Sequence, residues 1–256
     1  MSESFRLYWQ PGCTSCLKAK EFLSGHGIAF DSINVRAVPG AMAELARLGA
    51  RSVPVIACGD RFCFGQELEE VARFVGVPWR RERLKMVTLV DRIRHLLRAA
   101  PRLAAQIPDA HFETLIDGRP DRSYGDIGFH VAMIVEGFLA SARGGELSFD
   151  HFLKRPEGAS RRSSEVCAQI DLTASRFDAW WEAMADRSGT EPVRTYYGAQ
   201  PLHGVLERTA WHVAQHCRQM EHIVRTLGIS PAIALGDAEL GGLPLPDKIW
   251  DKEISE

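Results

Sequence analysis

The apolar pattern of this chain changes its period at Val77-Pro78, and that change limits the folds open to it. Before this point, short apolar runs alternate with helical stretches. FRLYWQ is an apolar and aromatic run closed by Pro11-Gly12, as a buried strand would be. From Cys13 to Ser24 apolar positions recur at helical spacing, and Gly25 and Gly27 supply stop signals, so a helix begins at or just before the cysteines. IAFDSINV reads as a second strand, AMAELARLG as a second helix ended by Gly49, VPVIACGDRFCFG as a hairpin turning at Gly59-Asp60, and GQELEEVARFVG as a closing helix. This order predicts an α/β unit over residues 1–78, a small sheet with helices on its faces.

After Val77-Pro78 long amphipathic stretches take over, over 83–100, 126–143, 163–186 and 203–227. They predict an all-α second domain over 83–256, a four-helix bundle. The connection over 144–162 is long enough to cross the bundle. The last thirty residues, with Pro231, Pro244 and Pro246, read as an irregular surface tail. A length of 256 residues accommodates both domains. A net charge of −2 with interspersed signs gives no footprint for nucleic acid or an anionic membrane. The N-terminus lacks a basic stretch followed by an apolar run, and no run reaches the roughly 18 apolar residues of a membrane span. The protein is expected to be soluble and cytoplasmic, with no nucleic-acid or membrane partner; a homodimer is compatible with the sequence. Six cysteines are too few for a disulfide scaffold, so in a reducing compartment a C-x-x-C pair reads as redox or metal chemistry.

In PGCTSCLKAKEF, Cys13 sits where a strand feeds a helix, near unpaired backbone N–H groups and the positive end of the helix dipole, which favours thiolate. Cys13 is therefore the expected nucleophile. Cys16, one turn on, can resolve a mixed disulfide formed there. The competing reading is half of a zinc knuckle, but no second C-x-x-C exists: Cys58 and Cys63 lie across a tight hairpin as small apolar fillers, and Cys167 and Cys217 are isolated. Ser52-Val53-Pro54-Val55 opens the hairpin, a place where a cis X-Pro bond fits.

Taken together, the Pro-Gly-Cys-x-x-Cys helix, the Val-Pro some forty residues later, the hairpin and Gly65-Gln66-Glu67 before a helix resemble a glutaredoxin over residues 4–77. The resemblance implies a thioredoxin-like fold, with Pro54 cis beside the cysteines. It further implies that the backbone of Val53 pairs with the cysteinyl part of glutathione, and that Gly65, Gln66 and Glu67 lie near its γ-glutamyl end. Cys-Thr-Ser-Cys replaces the common Cys-Pro-Tyr-Cys, and Phe-Gly-Gln-Glu the usual Gly-Gly-x-Asp. Cys-Thr-Ser-Cys is also similar to the arsenate reductase and Spx-type group, whose extra helices this short first unit has no room for.

In LERTAWHVAQHCRQMEHIV, His212 and His216 are four apart on a helical stretch, so both rings project from one face. In DIGFHVAMIVEGFLASA, His130 lies among apolar residues on or beside the stripe facing the bundle interior. A buried histidine needs partners, and bundle cores build metal sites from facing helices. Cys217 points about 100 degrees away from His216 and makes a poor fourth ligand. His26, His95, His111, His151, His203 and His222 have no such setting, and Trp180, Trp181 and Trp211 read as core.

A mid-helix histidine in the second long helix, H-x-x-x-H in the fourth and a closing Leu-Pro-x-Pro-x-x-x-Trp resemble the DinB-like helical bundle superfamily over residues 83–250. The resemblance implies a divalent metal on His130, His212 and His216, and a transferase or isomerase using a small thiol. Three imidazoles would leave open positions on Zn²⁺ or Ni²⁺, as catalytic sites do. The expected function joins the halves: a thiol–disulfide oxidoreductase coupled to a metal-dependent, glutathione-using thiol transferase acting on an electrophilic or disulfide substrate. The alternatives are a simple reductase with a non-catalytic bundle, a metal-dependent hydrolase and a redox sensor.

Overall fold

The computed structural model describes residues 4–116, 119–157 and 162–251. The chain divides into two units, one running to Glu82 and rejoined from Pro246 on, the other Arg83–Leu245.

In the first unit, β1 (Phe5–Trp9) leads through Pro11-Gly12 into α1 (Thr14–Gly25), followed by β2 (Phe30–Asn34), α2 (Ala41–Leu48), β3 (Val55–Cys58), β4 (Arg61–Phe64) and α3 (Leu68–Val75). The sheet order is β2-β1-β3-β4, with β1 parallel to β2 and antiparallel to β3. Period-two alternation sorts the side chains onto two faces. Leu7 and its register partner Ile56 join Phe22, Leu23, Val71 and Ala72 from α1 and α3. Tyr8 and its partner Val55 join Ala41 and Leu45 from α2 on the other face, together with Trp9, Cys16 and Val53. Gly49 closes α2 at φ +95°, a conformation that favours glycine.

The last described residues differ from the expected bundle tail. Residues 246–251 group with the first unit, where Glu21 accepts from the N–H groups of Asp247 and Lys248 at 2.7 and 3.0 Å and Lys20 pairs with Asp251 at 2.8 Å.

The second unit is helical. Its elements are α4 (Met86–Ala104), β5 (Leu115–Ile116), β6 (Arg119–Ser123), α5 (Tyr124–Ala142), β7 (Glu146–Leu147), α6 (Ser163–Ala183), β8 (Pro192–Thr195), β9 (Gly198–Pro201), α7 (Leu202–Thr226) and α8 (Asp237–Leu240). The helices α4 and α5 each pack along both α6 and α7. In α4, Leu89, Ile93, Leu96, Ala100 and Leu103 recur every three or four residues and are all buried. The helix runs on past Pro101, where the sequence reading stopped it, because Leu103 and Ala104 are buried as well. The helix α5 starts two residues before the expected Asp126. Ser123 caps it, accepting from the Asp126 N–H at 3.4 Å while its own N–H donates to the Asp126 carboxylate at 2.9 Å.

The connections expected to be loops carry the short strands β5 to β9. Part of the expected crossing connection, 158–161, lies outside the described residues. By length and composition α5 could cross a membrane, unlike the expectation that no stretch is long and apolar enough; 78% of its apolar window is buried within the fold. Gly128 makes its approach to α6 possible, since a Cβ there would lie 2.9 Å from Val166 Cγ1.

Candidate functional site

The strand-to-helix turn places Cys13 as the N-cap of α1 in extended conformation, and its Sγ accepts the Cys16 N–H at 3.1 Å. No acidic residue occupies the first turn of α1, so nothing there opposes the dipole's preference for a negative sulfur. Cys13 is half-buried and Cys16 fully buried; the two sulfurs are joined in a disulfide, their Cα atoms 5.1 Å apart.

The same cluster holds Trp9, Val53 and both cysteines. The Val53-Pro54 peptide is cis, and Gly65 N–H donates to the Pro54 carbonyl at 2.9 Å. A Cβ on Gly65 would lie 2.9 Å from Pro54 Cγ and 3.1 Å from Ile56 Cδ1, so only glycine fits against this turn. Gln66 is turned inward, 1% exposed, with its Nε2 donating to the Val53 carbonyl at 3.4 Å. It supports the cis-proline turn. Glu67 is the N-cap of α3 and makes no side-chain cap bond. Lys20, one turn after Cys16, sits over the Trp9 ring at 2.9 Å while paired with Asp251.

The remaining cysteines have packing roles. Burial, reinforced by Glu70, pushes the Cys63 thiol up to about 12. Burial likewise raises Cys217, whose Sγ lies 3.9 Å from the Leu96 carbonyl, and Cys167, whose Sγ donates to the Pro101 carbonyl at 3.2 Å.

In the helical unit α5 and α7 lie side by side and bring together the histidines singled out by sequence. One ring nitrogen from each of His130, His212 and His216 lies within 4.8 Å of the others, and all three residues are buried. Ring centroids are 5.6 Å apart for His130–His212, 4.8 Å for His130–His216 and 5.0 Å for His212–His216. Bond lengths of about 2.0–2.1 Å would put two nitrogens on one Zn²⁺ at most about 4.2 Å apart, close to the spacing of this cluster. Helical spacing sets His212 and His216 on one face, and the α5–α7 packing supplies His130 opposite. The donor set, three buried imidazoles from two rigid helices, fits a borderline divalent metal. Cys217 stands apart, against α4.

Sequence reasoning missed the shell around this cluster. His216 Nδ1 lies 2.6 Å from Gln219 Oε1. The Phe152 ring packs 5.8 Å from His130 and 5.6 Å from His212. Arg208, one turn before His212, is 2% exposed and donates to the Tyr196 hydroxyl at 2.9 Å. The signal available in sequence was the recurrence of polar residues at 208, 212, 216 and 219 along one side of α7. Among the other histidines, His203 bonds the Leu84 carbonyl at 2.8 Å and His26 the Phe22 carbonyl at 2.8 Å, as packed or surface residues do.

Comparison with known proteins bears on the first unit alone. The glutaredoxin family profile matches residues 5–63. The glutaredoxin-like protein NrdH of Lactococcus lactis subsp. lactis is 34% identical over 67 residues, 26% of this chain and 93% of that protein. The glutaredoxin-like protein NrdH of Salmonella typhimurium is 33% identical over 75 residues, 29% of this chain and 93% of that protein. No solved structure matches significantly. With its cysteines at a helix start beside a cis-proline turn, the chain belongs to the glutaredoxin family, and its N-terminal unit is a glutaredoxin/NrdH-like thiol–disulfide oxidoreductase domain.

Proposed function

We propose that this oxidoreductase domain works with a metal-dependent thiol transferase built in the helical unit, a DinB-like bundle, and that both use one small thiol, glutathione or a close relative. The observation that carries the second half is the convergence of His130, His212 and His216 from two helices within 4.8 Å.

In the reduced domain, Cys13 thiolate attacks one sulfur of a substrate disulfide, forming a mixed disulfide and releasing the other sulfur as thiolate, which takes up a proton. Cys16, deprotonated, attacks Cys13 Sγ and releases the second substrate thiol. The domain is left as the Cys13–Cys16 disulfide, and two electrons have passed to substrate. Two equivalents of the small thiol return it to the dithiol, leaving as their own disulfide. The backbone of Val53, set by cis Pro54 and held through Gln66, is the candidate strand-like partner for the cysteinyl backbone of the thiol. Gly65, Gln66 and Glu67, on the same turn, would lie near its γ-glutamyl end.

In the bundle, His130, His212 and His216 would hold the ion, Zn²⁺ or Ni²⁺, with Gln219 fixing the ring of His216. Bound there, the metal supplies a Lewis-acidic position that favours thiolate over thiol at neutral pH. The Phe152 ring packs beside both His130 and His212. The thiol sulfur then bonds to an electrophilic carbon, whose leaving group departs with the electron pair. The reading places the protein in the cytoplasm, free of nucleic-acid and membrane partners.

The test pairs two assays on the full chain: glutathione-dependent reduction of a small disulfide, and conjugation of glutathione to an aryl halide after loading with Zn²⁺ or Ni²⁺. Cys13→Ser removes the first and spares the second; His212→Ala does the reverse. Loss of both activities in Cys13→Ser alone, with His212→Ala inert, contradicts the assignment.

A further inference from the structure

On α5 the positions 133, 136, 140 and 143 recur every three or four residues and share one side of the helix; on α6 the positions 169 and 176, two turns apart, do the same. Between these sides, next to the helical turn Phe149–Phe152, lies an open cavity of about 370 Å³. The buried Met133 and Leu139 give it an apolar floor. Three exposed cations line it as well, each from a different element: Arg143 from α5, Lys154 from the connection after it and Arg176 from α6. The single carboxylate among the lining residues, Glu136, is already engaged, its Oε1 accepting from Thr173 Oγ1 and from Arg176 Nη1, both at 2.9 Å. Three positive charges against one negative leave an excess of two. The donors are largely unused. Of the five N–H groups on each guanidinium, Arg176 gives one to Glu136 and Arg143 gives one to the Arg176 carbonyl at 3.3 Å. Lys154 makes no ion pair or hydrogen bond among the described residues.

We propose that this cavity binds a small organic phosphate, with the phosphate on Arg143, Lys154 and Arg176 and the apolar part over Met133 and Leu139. A phosphate monoester carries a charge of about −1.5 to −2 at neutral pH and three strong acceptor oxygens, which matches the excess charge and the unused donors. Guanidinium forks suit phosphate oxygens, and an ammonium adds a point charge. The volume falls within the range of about 300–1,000 Å³ typical of small-molecule sites, so a small ligand fits and a folded partner does not. No lining residue belongs to the histidine cluster or to the redox pair, so the proposal needs neither a metal nor the cysteines.

The test is calorimetry on the full chain, without added metal, at low ionic strength and about pH 7.5, where a phosphate monoester is mostly dianionic. Phenyl phosphate is compared with phenyl sulfate, which has the same shape and one charge fewer, and with inorganic phosphate, which has no ring for the apolar floor. Phenyl phosphate should bind about 10-fold more tightly than phenyl sulfate, and more tightly than inorganic phosphate. Arg143→Gln and Lys154→Gln should each weaken it about 5-fold; neither side chain pairs with a carboxylate, so the fold does not depend on them. Arg98→Gln removes one exposed positive charge from α4, away from the cavity, and should leave the affinity unchanged. Equal binding of the phosphate and sulfate esters overturns the proposal, as does the absence of phenyl phosphate binding at millimolar concentration. An equal loss in all three variants overturns it too, because the attraction is then one of net charge. Inorganic phosphate binding as tightly as phenyl phosphate overturns the assignment of the apolar floor.

Discussion

His216 Nδ1 lies 2.6 Å from Gln219 Oε1, both side chains buried on α7 and three residues apart. With the amide oxygen as acceptor, the imidazole donates from Nδ1, and Nε2 would be the ring atom offered to a metal. Outer-shell partners of this kind fix ring orientation and tautomer, and their loss typically lowers metal affinity about 10-fold to 100-fold. Gln219→Leu is expected to weaken Zn²⁺ binding by that factor, and Gln219→Glu to retain or tighten it. A chelator-competition titration of the two variants checks this.

The cysteine pair is asymmetric, with Cys13 at the helix cap and half-buried and Cys16 inside. Cys13→Ser is expected to lower disulfide reduction by roughly 10²-fold or more, since the attacking sulfur is gone. Cys16→Ser should still react once and stop as a mixed disulfide on Cys13. Intact-mass measurement after incubation with oxidised glutathione reads the adduct directly; an adduct on Cys16 in the Cys13→Ser protein would reverse the roles.

Gly65 touches Pro54 so closely that a methyl group there lies 2.9 Å from the ring. Overpacking of this sort costs about 1–3 kcal/mol. Gly65→Ala should lower the denaturation midpoint by a matching amount and slow disulfide reduction, because the turn that moves carries Val53. Denaturant unfolding together with steady-state kinetics tests both effects.

The buried thiol of Cys63 gives stability a pH dependence of known sign. Unfolded, it releases its proton near 9; folded, at about 12, because burial disfavours the thiolate. Between those values the unfolded chain binds fewer protons, so the contribution is complete below 9 and is lost as pH rises toward 12. The slope is at most about 1.4 kcal/mol per pH unit. Cys63→Ala should flatten it, as compared by urea unfolding at about pH 8 and about pH 11.

Local signals carried most of the architecture. Pro11-Gly12 before Cys13, the Gly59-Asp60 turn and the apolar stripe of α4 each act within a few residues, and the corresponding elements stand where those signals put them. Element ends moved where a partner outside the pattern decided them. Ser123 starts α5 through a capping box, and buried Leu103 carries α4 past Pro101. The histidines were legible because i, i+4 spacing defines a helix face. Their surroundings were not: Phe152 comes from the connection after α5 and Tyr196 from the turn between β8 and β9, and no spacing rule aims either at α7. The inward turn of Gln66 and the grouping of residues 246–251 with the first unit are tertiary choices of the same kind.

Metal analysis of the purified full chain tests most directly whether imidazoles from α5 and α7 share one divalent ion. About one Zn²⁺ or Ni²⁺ per chain is expected in the unaltered protein. His130→Ala, His212→Ala and His216→Ala should each bring that down to about a tenth or less, with helicity retained. Metal content equal across the four proteins, whether high or near zero, contradicts the account.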